Sequence, residues 1–162
     1  MNRDRMNEKA DAIVRYLKSQ LKKKTKMLFM CGEFCNKIVL GNKKLLAYII
    51  PLASKTEACV AATGSTVVEL RRRGVTAKKM FAAEILFHLN GHWSDALGEK
   101  PKVVLLMGYN AATLNSVVSV LQRAGVDTIV LDTIEIEEAA YSMHGLTRAE
   151  WKASLEAVIK NL

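Results

Sequence analysis

Nowhere in this 162-residue chain does an apolar run approach the roughly eighteen residues that cross a membrane, so a membrane protein is not expected. The first residues, MNRDRMNEKADAIVRYLKSQLKKKTK, are charged throughout and hold no apolar signal segment, which predicts a cytoplasmic protein. Cysteine is scarce and odd in number: Cys31, Cys35 and Cys59 suit a reducing compartment better than a disulfide scaffold. Cys31 and Cys59 lie in or beside apolar runs, where cysteine acts as a small hydrophobe. Cys31-x3-Cys35 lacks the further ligands of an iron–sulfur or zinc site, so no cluster is expected.

Aromatic residues are also few, with four Phe, four Tyr and two Trp. None is interleaved with the basic runs, which removes the stacking platforms that single-stranded nucleic acid needs. The formal charge of +8 gathers at Lys18–Lys26 and at Arg71-Arg72-Arg73 with Lys78-Lys79. Charge of this kind attracts phosphate, nucleic acid or an acidic protein face, or is simply solvated at helix ends.

What is present is an alternation of short apolar runs and helical periodicity. Ala10, Ile13, Val14, Leu17 and Leu21 predict an amphipathic helix at about 7–21. Four runs read as buried strands: KMLFMC at 26–31, CVAA at 59–62, VVLLM at 103–107 and TIVL at 128–131. A helix is expected over 36–52, ended or kinked near its last turn by Pro51. Another follows Thr63-Gly64-Ser65, capped by Ser65 or Thr66, and a second begins at a Thr76 cap and runs to Leu89. Ser94 to Lys100 reads as a surface loop. Gly125 closes the helix after Asn110, and Thr147 with Glu150 forms a capping box for the last one. The whole chain, 1–162, is therefore expected to be one three-layer α/β domain with a mostly parallel sheet.

In such a sheet ligands sit beyond the carboxyl ends of the strands. Those ends are Gly32, Thr63-Gly64-Ser65, Gly108-Tyr109-Asn110 and Asp132, and they form the candidate ligand-binding set. Glycine lets a ligand approach the backbone, the hydroxyls of Thr63 and Ser65 can bond it, and a helix start favours an anion. Neither the spaced glycines of a dinucleotide turn nor a Gly-Lys-Ser/Thr loop occurs, and Glu33 would repel a pyrophosphate.

Catalytic groups are scarcer still. His88 and His92 are four apart, with Glu84 the only third ligand in reach, and Gly91 interrupts the helix between them. His144 has no evident acid or nucleophile. No catalytic residue and no metal site is assigned.

The segments CVAATGSTVVEL, VVLLMGYNAATLNSVVSVLQRAG and GLTRAEWKASLEAVIKNL closely resemble the epsilon subunit of the archaeal acetyl-CoA decarbonylase/synthase complex, which contains carbon monoxide dehydrogenase. The resemblance runs from about Ala12 to Leu162. It implies a Rossmann variant like the flavin- and nicotinamide-binding domain of deoxyhypusine synthase. It also implies an accessory role beside a large nickel–iron–sulfur dehydrogenase subunit, with FAD as the one cofactor suggested. Where the family follows its first glycine with small or hydroxyl residues, this chain has Glu33, Phe34 and Cys35, which counts against a cofactor. The leading expectation is thus a non-catalytic subunit anchored through Tyr109, Phe34 or Trp93, with self-association compatible. A flavin-binding electron-transfer protein is the alternative, and a phosphate or nucleic-acid module using Arg71, Arg72, Arg73, Lys78 and Lys79 the third.

Overall fold

Five consecutive residues, Met27–Cys31, are buried without exception, and so are the five of Val103–Met107. A strand buried on both faces needs helices above and below, and the computed structural model shows that arrangement over the residues it describes, 3–91, 93 and 99–162. Its elements are α1 (Arg3–Lys22), β1 (Met27–Cys31), a 3-10 turn (Glu33–Asn36), β2 (Val39–Leu40), β3 (Lys43–Lys44) and α2 (Leu46–Thr56). Next come β4 (Cys59–Ala62), α3 (Gly64–Arg72), β5 (Ala77–Lys79) and α4 (Ala82–Asn90). The chain ends with β6 (Val103–Met107), α5 (Ala111–Arg123), β7 (Asp127–Val130), β8 (Tyr141–Ser142) and α6 (Arg148–Asn161).

Six strands form one sheet in the order β5-β4-β1-β6-β7-β8, and every pair in it is parallel. The chain winds outward from β1 through β4 to β5, then returns to β1's other side and winds the opposite way through β6, β7 and β8. This is a three-layer Rossmann-like α/β fold, and the order reverses between β1 and β6. The register there is tight, from Met27 opposite Val103 to Cys31 opposite Met107.

Alternate side chains of the strands feed two cores. Phe29, Cys31, Leu105 and Met107 pack with α1, α2, α3 and α6, whereas Leu28, Met30, Val104 and Leu106 pack with α4 and α5. Each fully buried Leu, Ile or Phe contributes about 1.5–3 kcal/mol relative to exposure. In α1, Ala10, Ile13, Val14 and Leu17 recur at helical spacing and are all buried, against an α6 that buries Trp151, Leu155 and Val158. Trp151 also donates its indole N–H to the Leu131 carbonyl at 2.7 Å, fastening α6 to the end of β7.

The four expected strands are present, and α1, α5 and α6 stand where the periodicity placed them. The Thr147 cap holds, with its hydroxyl and N–H both bonded to the Glu150 carboxylate at 2.9 Å. Gly125 follows the end of α5 at φ 71°.

Three expectations are corrected. The helix over 36–52 is replaced by the 3-10 turn, a hairpin and a later helix. Leu40 pairs with Lys43 across Gly41-Asn42, a two-residue turn whose Gly41 has φ 64°. Pro51 does not end α2, which continues to Thr56 because Leu52, Ala53 and Thr56 are buried against the core beyond it. The helix start at Thr76 gives way to edge strand β5, and α4 begins later, with Glu84 accepting a bond from the Phe81 N–H at 2.7 Å. Lys78 and Lys79 make β5 a poor strand by propensity, but exposed lysines suit a sheet edge that must not pair further. Much of the loop expected at 94–100 lies outside the described residues.

Candidate functional site: a cavity at the strand-order reversal

At the carboxyl ends of β1, β4 and β6, on the side of α4 and α5, lies a cavity of about 600 Å³. That volume falls within the range of small-ligand sites. Of the eight residues expected from sequence, Thr63, Gly64, Gly108, Tyr109 and Asn110 line it, and Gly32, Ser65 and Asp132 do not. Each of these three sits close by with a different task.

Gly32 is wedged between loops. Its N–H donates to the Met107 carbonyl at 2.8 Å, and the Phe34 N–H donates to the Gly108 carbonyl at 3.0 Å. The turns after β1 and β6 are thereby stitched together across the reversal, and the space a ligand's pyrophosphate would use there is filled by protein backbone. Asp132 is buried beneath, accepting the Gly108 N–H with both oxygens at 3.0 and 2.9 Å. Burial raises its carboxyl to about 7, opposed by the bonds from the Gly108 and Tyr109 N–H groups. Ser65 faces another way: its hydroxyl accepts from the Asn36 amide at 3.1 Å, and Asn36 in turn accepts from the Lys44 ammonium at 3.0 Å.

The anticipated helix cap at Ser65 or Thr66 is also displaced. Thr63 is the N-cap of α3, without a side-chain bond, and Gly64 opens the helix at φ 54°. The Thr66 hydroxyl turns inward instead, donating to the Gly32 carbonyl at 2.9 Å. At α5 the cap is regular, Asn110 accepting the Thr113 N–H at 2.9 Å. Both helices therefore present their N-terminal ends toward the cavity.

Tyr109 corrects a further expectation. It is only 8% exposed, so it is no surface anchor: its ring forms part of the cavity wall while its hydroxyl is buried without a hydrogen-bond partner. Burial, reinforced by Cys31, Cys35 and Asp132, pushes its pKa well above the usual phenol value. Phe34 and Trp93 are half-buried.

The rest of the lining was not legible from sequence. Phe81 caps α4, and Ala82, Ala83 and Leu86 come from that helix, which begins only after the unforeseen β5. Ala112, Thr113, Ser116 and Val117 come from one side of α5, and their spacing from the Asn110 cap was the signal that could have found them. Glu33 is the one carboxylate on the rim, paired with Lys37 at 3.0 Å, and no Lys, Arg or His lines the cavity among the described residues. An apolar wall with hydroxyls, an amide and helix N–H groups can hold an uncharged ring bearing acceptors. It offers little to a diphosphate.

Cys35 lies directly below. Its thiol donates to the Met107 carbonyl at 3.2 Å, and burial first, then Cys31, holds its pKa well above the ordinary thiol value. Cys59 is exposed at the opposite end of the sheet, beside Leu28, so the three sulfurs do not converge. No group of three or more His, Cys, Asp or Glu placed to hold a metal occurs among the described residues. His92 lies outside those residues, and with it the His88–His92 pair.

His144 is not isolated, contrary to the sequence reading. Its Nδ1 is 2.6 Å from the Ser142 hydroxyl and 3.4 Å from the Lys9 ammonium. No helix among the described residues is long and apolar enough to cross a membrane. None of the protein-family models matches this chain, and no curated protein matches it.

Proposed function

We propose that this chain is a non-catalytic accessory subunit of a carbon monoxide dehydrogenase/acetyl-CoA decarbonylase–synthase complex, working in the cytoplasm by binding the large nickel–iron–sulfur subunit. The resemblance selects the complex. The segments that carry it form β4 with α3, β6 with α5, and the capped α6, so they include the cavity walls and one outer helix.

The observation that carries the binding role is a pair of exposed rings, Phe81 at the N-cap of α4 and Phe87 within it. Phe81 is 56% exposed and Phe87 76%, values that a helix flanking a core does not need. Phe81 and Ala83 border the cavity, and Phe87 lies one turn beyond Ala83. A connected apolar surface with aromatic members is what a partner covers. Co-purification from native extract, with the partner identified, tests the reading. Truncating Phe81 and Phe87 to alanine should weaken capture by about thirtyfold, the effect of losing a hot spot of about 2 kcal/mol. Failure to bind any large subunit at micromolar concentration, or steady turnover of carbon monoxide by the isolated chain, overturns it.

A flavin-binding electron-transfer role is the second reading, favoured by the size and placement of the cavity at the order reversal. Visible absorbance of the purified chain at flavin wavelengths would support it, and the bare lining predicts that FAD binds more weakly than its phosphate-free ring.

A further inference from the structure

The amino-terminal ends of the strands, opposite the cavity, gather six lysines. Lys26 precedes β1 and Lys102 precedes β6, and because these strands are neighbours the Lys102 N–H donates to the Lys26 carbonyl at 3.1 Å. The end of α1 adds Lys23 and Lys24, the latter held in a left-handed turn at φ 55°. Together with Lys100 these lysines line a groove of about 540 Å³ that also holds, among the described residues, the carboxylates Glu99 and Asp127. A second groove, of about 560 Å³, shares Lys24 and Lys26 and adds Lys55 and Glu57.

All six lysines are exposed, and none forms an ion pair among the described residues. The Asp127 carboxylate is already engaged by the Tyr16 hydroxyl. Of these six lysines the sequence groups only Lys23, Lys24 and Lys26; the fold brings Lys55, Lys100 and Lys102 to them from far along the chain. Like charges gathered within a Debye length of about 8–10 Å repel one another and raise the local potential. The Lys100 ammonium donates to the Leu89 carbonyl at 3.2 Å, at the end of α4, but the mutual repulsion of the group opposes folding, whereas an anionic partner relieves it.

We propose that this basic base is a docking face for an acidic protein surface, separate from the exposed α4 rings and independent of them. Three features favour a protein over a nucleic acid. Glu57, Glu99 and Asp127 are interspersed among the lysines, which suits a partner of mixed charge with carboxylates in excess but opposes a uniform phosphate track. Among the described residues no aromatic side chain lines either groove, so they offer bases nothing to stack on. Arginine, the usual fork for phosphate, is absent from both linings among the described residues.

The test is fluorescence anisotropy of the whole chain with labelled poly-L-glutamate and with a DNA duplex of equal total charge. Polyglutamate should bind more tightly than the duplex, and its affinity should fall as salt rises from about 0.05 to about 0.3 M. Lys26→Glu with Lys102→Glu should weaken it at least about tenfold, whereas Lys78→Glu with Lys79→Glu, an equal charge change on the β5 edge, should weaken it far less. Circular dichroism checks folding, and if the reversals unfold the chain the Lys26→Gln/Lys102→Gln pair is read instead. Equal loss from both pairs, or tighter binding to the duplex, overturns the proposal. Loss of α4-mediated capture leaves these outcomes unchanged.

Discussion

A Cβ atom placed on Gly32 would lie 2.2 Å from the carbonyl oxygen of Gly108. Gly32 has φ −82°, which any residue tolerates, so its requirement is space alone. Gly108 needs both space and conformation: it has φ 81°, and its Cβ would meet the Cys35 sulfur at 2.3 Å and the Cys35 nitrogen at 2.7 Å. The two turns that define the reversal of strand order are thus packed backbone on backbone.

Alanine at either position should therefore be costly. Gly108→Ala is expected to destabilise by about 3 kcal/mol or more, combining left-handed strain with a backbone clash. Gly64→Ala, at φ 54° with nothing within 4 Å, should cost only about 1 kcal/mol. Urea unfolding of the three variants checks this, and equal losses at Gly64 and Gly108 would contradict the packed-turn account.

Asp132 should give stability a distinct pH dependence. Its carboxyl titrates near 7 when folded and at its ordinary value of 3.8 when not, so the folded chain binds the extra proton. Its contribution is fully present below about pH 4, is lost as pH rises toward about 7, and is flat above. At about 1.4 kcal/mol per unit of difference, a few kcal/mol are at stake. Denaturation midpoints of the wild type and Asp132→Asn across this window should diverge in favour of the wild type as pH falls. A constant difference would show that the carboxylate is already ionised throughout.

The thiols should separate by accessibility. Cys59 is exposed, while Cys31 and Cys35 are buried and Cys35 is held in its protonated form. A thiol reagent should modify one site per chain quickly under native conditions and all three only after unfolding. Rapid native reaction at Cys35 would mean that the turn below the cavity opens readily.

On α4, binding and stability should part company. Phe87→Ala removes an exposed ring and is expected to change unfolding free energy by less than about 0.5 kcal/mol. Ile85→Ala, two residues away and fully buried, should cost about 2–5 kcal/mol. Calorimetry of both variants checks the contrast, and a large loss at Phe87 would assign that ring to the fold instead of to a partner.

The sequence by itself determined the four central strands, α1, α5, α6 and the Gly125 and Thr147 signals, because each rests on interactions within one segment. An unbroken apolar run is buried on both faces wherever it pairs, and a cap is satisfied by residues three positions away. The Gly41-Asn42 hairpin was equally local and was concealed only by apolar neighbours, Ile38 and Leu45, that also fit a helical period. Tertiary structure decided what depends on distant partners. Ala77–Lys79 is a strand only because β4 offers it an edge, and α4 is displaced accordingly. Pro51 remains helical because the turn beyond it is buried. The strand-end residues were legible as a set, since parallel strands bring their carboxyl ends together. Their division into cavity wall (Thr63, Gly64, Gly108, Tyr109, Asn110) and supporting frame (Gly32, Ser65, Asp132) was not, because it depends on which backbone lies within a few ångströms of which. The lysine base follows the same rule: charge is written along the chain, but its density is set by which strand starts stand side by side.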